Sequence, residues 1–201
     1  MRMTTSYKHY RFYFCLSRPF IWLFYRLRVV GAENIPSGAT LVCANHSSNV
    51  DPFLLAYAFS LKHQLHILAK NQLFKIPIIS TILRKAGMIS VDRNHMDTTS
   101  VKSSLAYLKN DEKILIFPEG TRVSSDDAST AKSGAVKLAE RTGAPILPVY
   151  IPRKKRLFSR VPIIIGEPYY IEKDDQKRKQ DDYDRLSDAL MDAIMLLEEG
   201  I

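Results

Sequence analysis

Cysteine is scarce in this chain. The two present, Cys15 and Cys43, have no metal-ligand spacing. They could form one bridge at most, so a disulfide-stapled fold is excluded and a reducing compartment is the default. No apolar run is long enough to span a bilayer. The N-terminal stretch is interrupted by Arg18 and Pro19 and lacks a small-residue cleavage site, so it reads neither as a spanning helix nor as a signal peptide. Internal repeats are absent, and so are clustered metal ligands; no metal and no cofactor are expected. Acidic residues are missing from positions 1–28, which carry six basic residues: Arg2, Lys8, Arg11, Arg18, Arg26 and Arg28.

What is present fits one globular domain: 201 residues, 46% hydrophobic and 25% charged. The net charge of +8 is concentrated at the N-terminus and in Arg153-Lys154-Lys155-Arg156 with Arg160. Two basic patches imply an anionic partner, if they are more than solvated basic faces. Nine of the 20 aromatic residues lie between Tyr7 and Tyr25, interleaved with cations. That pattern describes a segment lying in a membrane interface, rings at headgroup depth and cations on phosphates. The alternative is a helical hairpin that caps the core; Pro19 is expected to divide the stretch into two helices. No nucleic-acid-binding module is recognisable, and no nucleic acid partner is expected.

From Arg28 onward, apolar strands alternate with helices. Strands are expected at 39–44, 65–69, 88–91, 113–117, 145–151 and 161–166. Helices are expected at 53–59, 73–85 (holding Pro77), 98–110, 133–142 and from 182 to the C-terminus. The alternation gives an α/β domain on a largely parallel sheet, residues 29–201, preceded by the interface segment 1–28. Residues 124–131 are polar and read as a mobile loop. In the last helix Leu186, Leu190, Ile194 and Leu197 form an apolar stripe that should pack on the domain.

The chemistry gathers around Asn45-His46-Ser47-Ser48-Asn49-Val50-Asp51-Pro52, a strand-to-helix turn. On a continuous helix, His46 and Asp51 would point apart. In a turn they can meet, and a carboxylate on one ring nitrogen fixes the tautomer and leaves the other nitrogen to take a proton. Such a pair can deprotonate a substrate hydroxyl directly. Asp51-Pro52 also reads as a plain helix start, with His46 an ordinary turn residue. Other strand ends carry Val91-Asp92-Arg93, Phe117-Pro118-Glu119-Gly120-Thr121-Arg122 and Val149-Tyr150. In a parallel sheet these ends share one edge, where ligands bind. Arginine suits phosphate, and a glycine lets backbone approach a ligand.

Four blocks in this order resemble the glycerolipid acyltransferase family. They are His46 with Asp51; Lys70 to Phe74 followed by Gly87 to Arg93; the intact Phe117 to Arg122; and Pro145-Ile146-Leu147-Pro148-Val149. The sequence departs from the family pattern at Val123, where serine is frequent, and at Lys132, a single lysine where a pair is frequent. The resemblance implies transfer of a fatty acyl group from an acyl-CoA or acyl carrier protein thioester to the hydroxyl of a lysophospholipid, foremost the sn-2 hydroxyl of 1-acylglycerol-3-phosphate. It implies His46 as base and Asp51 as its orienting carboxylate. Arg93 and Arg122 would be phosphate ligands, and Glu119, Gly120, Thr121 and Lys70 further substrate-binding positions. It also implies work at the cytoplasmic face of an anionic membrane, as a peripheral protein.

Overall fold

The computed structural model describes residues 4–92, 98–123, 131–173 and 178–200. Helix α1 (Thr4–Phe24) leads into strand β1 (Arg26–Val30). There follow β2 (Thr40–Ala44), α2 (Asp51–Phe59), β3 (Leu65–Lys70), α3 (Pro77–Lys85), β4 (Ile89–Val91), α4 (Thr98–Leu108), β5 (Lys113–Ile116), α5 (Gly134–Thr142), β6 (Ile146–Tyr150), β7 (Arg160–Ile165) and α6 (Gln180–Leu196). The strands form one sheet in the order β1-β7-β6-β2-β5-β3-β4. Every pairing is parallel except β6 with β7, as the alternating pattern predicts.

The central strand β2 is buried along its whole length, so its side chains feed two cores. Val42 and Ala44 pack with Leu54, Leu55 and Phe59 of α2 and with Ile163 and Ile165 of β7. Leu41 and Cys43 face the other way, onto Ala135, Val136 and Ala139 of α5 and Leu190 and Ile194 of α6. The period-2 alternation of a strand buried on both faces accounts for this division. The C-terminal apolar stripe docks as expected.

Two helix expectations are corrected. Pro19 does not divide the N-terminal stretch; α1 runs through it as one helix of 21 residues. Carbonyl groups of the turn before the proline find side-chain donors. Ser17 Oγ donates to Tyr13 O (2.7 Å), and the Tyr57 hydroxyl of α2 donates to Phe14 O (2.6 Å). The carbonyl that Pro19 leaves without its N–H is that of Cys15, and packing on α2, where Phe14 meets Tyr57, supports the helix across this point. Residues 73–85 are not one helix. Asn71–Lys75 is a 3-10 segment, and Pro77 starts α3 at the position where its missing N–H costs nothing.

The lone antiparallel pairing has a geometric consequence. Because β7 returns alongside β6 and β1 runs parallel to β7, β1 begins at the edge where β2, β5 and β6 end. The C-terminal end of α1 therefore meets that edge. Phe24 of α1 contacts Phe158 of the β6–β7 connection, with ring centroids 5.6 Å apart. Arg93 and most of the polar loop 124–131 lie outside the described residues.

Candidate functional site

The site is built where β2 runs out. Asn45 stops the chain from drifting there: its side chain donates to Ile151 O (2.8 Å) and accepts from Ile151 N (2.9 Å). It thus imitates one more rung between β2 and β6, beyond the last paired backbone. His46 follows, buried, its ring stacked on Phe117 at 4.0 Å and 18°. A ring clamped this way has one orientation available.

Asp51, with a fully buried side chain, closes the turn. Its Oδ2 accepts from three donors: His46 Nδ1 at 3.0 Å, Ser47 N at 2.8 Å and Ser48 N at 2.7 Å. The helix does start here, but Val50 is its N-cap, and the Asp51 carboxylate reaches back to the preceding turn. Burial pushes its carboxyl up; the bonds from His46 and Lys155, the Lys155 charge and the Ser47 N–H outweigh that and hold it below the ordinary value. An ionised Asp51 is acceptor-only, so His46 carries its proton on Nδ1. Its Nε2 has no hydrogen-bond partner among the described residues and is free to accept a proton.

The residues after β5 lock onto this pair. Glu119 Oε2 accepts from His46 N (2.9 Å), and Glu119 Oε1 pairs with Arg153 at 2.7 Å; the glutamate side chain is wholly buried. Val123 N donates to His46 O (2.8 Å), while Arg153 donates to Val123 O (2.9 Å). Gly120 takes the left-handed conformation (φ 69°) that turns the chain between them. Thr121 and Arg122 then emerge exposed, and Arg122 has no ion-pair or hydrogen-bond partner among the described residues. It sits one residue from the Val123–His46 bond, next to the base. Lys70 ends β3 on the same edge and is exposed. In the sheet order it is separated from the His46 strand by β5, and it touches neither His46 nor Asp51.

The late basic run is not one solvated patch. Arg153 and Lys155 turn inward, Arg153 to Glu119 and Lys155 Nζ to within 2.9 Å of Asp51 Oδ1, while Lys154 and Arg156 face outward. Sequence reading missed both inward residues, since four consecutive cations carry no mark of which ones face in. The alternation of an extended segment is the one signal that separates them, and it needs a known neighbour to set its phase. Among the described residues, no group of three or more histidine, cysteine or acidic side chains could hold a metal.

A histidine oriented by a buried carboxylate, with the exposed Arg122 nearby in the chain, is an arrangement that can take a proton from a hydroxyl. The model of the acyltransferase family matches residues 26–152. The 1-acyl-sn-glycerol-3-phosphate acyltransferase of Bacillus subtilis is 36% identical over 151 residues, covering 72% of this chain and 74% of that protein. The protein of the same name from Borreliella burgdorferi is 32% identical over 136 residues, covering 66% of this chain; the chain spans about half of its length, 54%. Among solved structures, the 1-acyl-sn-glycerophosphate (LPA) acyltransferase PlsC of Thermotoga maritima superposes with a TM-score of 0.69. The sequence identity is 26%, and the match covers 96% of this chain and 78% of that one.

Proposed function

The chain belongs to the acyltransferase family, and from that premise we propose that it transfers a fatty acyl group from a thioester to the free sn-2 hydroxyl of 1-acylglycerol-3-phosphate, giving phosphatidic acid. One observation carries the reading: His46 is fixed by Asp51 on Nδ1 and by Phe117 on its face, with no partner on Nε2 among the described residues. The acceptor hydroxyl gives its proton to Nε2 as its oxygen attacks the thioester carbonyl. Collapse of the tetrahedral adduct expels the thiolate, which takes the proton back from the imidazolium and leaves as thiol. No acyl-enzyme is needed. Arg122, exposed and without a partner among the described residues, is the phosphate ligand; Arg93 is assigned with it by motif alone. Gly120 and Thr121 shape the approach to the base, and Lys70 is a more distant contact for the donor or the acceptor. Glu119 orders the site: both its oxygens are engaged within the protein. The thioester is acyl-CoA or acyl-carried by a carrier protein.

The same reading places the protein peripherally on an anionic membrane, at the cytoplasmic face where such thioesters are available, with segment 1–28 as the contact. Tyr10, Phe14, Ser17 and Ile21 form the inner face of α1. Phe12, Leu16, Phe20 and Leu23 form an exposed apolar stripe opposite it, beside Trp22, which is 78% exposed. Stripes three and four residues apart are the helical spacing of an interfacial helix. No described helix is long and apolar enough to cross a membrane. Leu157 and Phe158, exposed on the β6–β7 connection, and Ile78 and Ile82 of α3 extend the apolar surface. No acidic residue occurs in 1–32 or in 52–91, so the field there favours anionic headgroups.

Acyl transfer to 1-acylglycerol-3-phosphate in mixed micelles, read by product mass, tests the reaction. His46→Ala should lower turnover by roughly 10²- to 10⁴-fold. Arg122→Ala should raise the apparent KM on the order of ten- to a hundredfold, the loss of one charged hydrogen bond. Wild-type protein inactive on this acceptor with either thioester would overturn the substrate. Activity surviving in His46→Ala would overturn the base.

A further inference from the structure

We propose that Lys155 is a positioning residue for the base: its buried ammonium holds the second oxygen of Asp51 and balances the charge around His46, keeping the ring uncharged and aligned to accept a proton. The inference rests on the acyl-transfer reading for its purpose, but not for its geometry.

Lys155 sits in a surface connection, and its neighbours Lys154 and Arg156 reach solvent. Its own side chain is only 3% exposed. Burying an ammonium is costly unless every proton finds an acceptor, and here each does. Nζ donates to Ser47 Oγ (2.9 Å) and to Pro152 O, and lies 2.9 Å from Asp51 Oδ1, with Arg153 O further out at 3.5 Å. Ser47 Oγ in turn donates to Arg153 O (2.9 Å). Asp51 thereby gains a partner on the oxygen that His46 and the two backbone donors leave open. The turn 46–51 is tied to the β6–β7 connection through that ammonium and through the Ser47–Arg153 bond.

The charge count gives the contact its consequence. The ionisable groups packed around the ring are Asp51 from its own turn, Glu119 from the β5 end, and Arg153 and Lys155 from the β6–β7 connection. Lys132, whose side chain lies against Gly120, and Arg122 are solvent-exposed. Two carboxylates face two buried cations, so the inner cluster is neutral with an uncharged His46. Without Lys155 it carries one uncompensated negative charge, and a proton on His46 would neutralise it. A protonated ring cannot act as base.

Lys155→Gln separates charge from hydrogen bonding, because the amide can still donate to Pro152 O and Ser47 Oγ. Lys155→Arg keeps the charge. Two readouts are taken on folded protein: the pH dependence of kcat/KM for acyl transfer, and the ¹⁵N spectrum of histidine-labelled protein at pH 7. In Lys155→Gln the acid limb of the profile should move to higher pH, lowering activity on the acid side and leaving the alkaline plateau less affected. The His46 signals should move from those of an Nδ1–H ring toward imidazolium. Lys155→Arg should restore both. A uniform loss at every pH with unchanged His46 signals would reduce Lys155 to a structural tie and overturn the proposal. Should wild-type protein show no acyl transfer, the functional reading fails, while the ¹⁵N comparison still decides the role of Lys155.

Discussion

Replacing Glu119 with glutamine preserves side-chain volume and removes its charge. In the folded protein both oxygens are committed, one to His46 N and one to Arg153, and the side chain is fully buried; that of Arg153 is 10% exposed. Glutamine leaves the guanidinium without its counter-charge. It can also accept at only one of the two positions, because the other now carries an NH₂ group that faces a donor. Breaking one side of a buried ion pair costs about 3–5 kcal/mol. Arg153 keeps its bond to Val123 O, which favours the lower end, about 3 kcal/mol. Arg153→Met should cost a similar amount by stranding Glu119. The double variant removes both charges together. If the pair is an ionic unit it should cost about 3 kcal/mol rather than the roughly 6 that addition predicts, a coupling near 3 kcal/mol. Urea unfolding of the four proteins at pH 7 measures the cycle, and equal m-values certify the comparison. For a chain of this size each single variant should also lower Tm by about 6–12 °C. Coupling below about 0.5 kcal/mol would refute the reasoning and return Glu119 to the role of a substrate contact.

Two further outcomes follow from burial and charge. Cys15 is exposed on α1, while burial pushes the Cys43 thiol up to about 12; one thiol should therefore react with maleimide in the native protein, and anionic vesicles should slow that reaction. Vesicles that leave the rate unchanged, together with unaltered binding of a Phe12→Ser, Leu16→Ser, Phe20→Ser variant, would move the membrane contact off α1. The Asp51 carboxyl is held below its ordinary value. The stability it contributes is therefore complete above the unfolded-state value of about 3.9 and is lost as pH falls through the lower folded-state value. Asp51→Asn should be destabilised by a constant amount above about pH 5, and the gap to wild type should narrow as the pH falls below about 3.9; a difference independent of pH in urea melts would contradict the assigned ionisation.

The sequence by itself determined the kind of fold and the pairing of His46 with Asp51. Apolar runs such as Leu41 to Ala44 and Ile114 to Ile116 are buried on both faces, and a strand of that kind belongs in a parallel sheet with helices on either side. The turn of His46 to Asp51 was legible because the partners are five residues apart, so the contact is local and chain geometry nearly dictates it. Phe117 to Arg122 was legible as a motif at a strand end. Arg93 and Lys70 were placed by motif as well, one outside the described residues and the other on the shared edge away from the base.

Tertiary structure alone decided everything that depends on which distant segment arrives. The sequence could not say that β7 returns antiparallel to β6, and that reversal brings the end of α1 and the β6–β7 connection to the edge that carries His46. It could not say that Pro19 would be absorbed, because the packing that supports α1 there comes from Tyr57, in another helix. Nor could it separate Arg153 and Lys155 from Lys154 and Arg156. A basic run has the same composition whether it faces water or a buried carboxylate. The difference arises from Glu119 and Asp51, which are 34 and 104 residues distant in sequence and are brought within 3 Å by the sheet. Buried charge is stable only where a partner has been delivered to it, and delivery is a property of the fold.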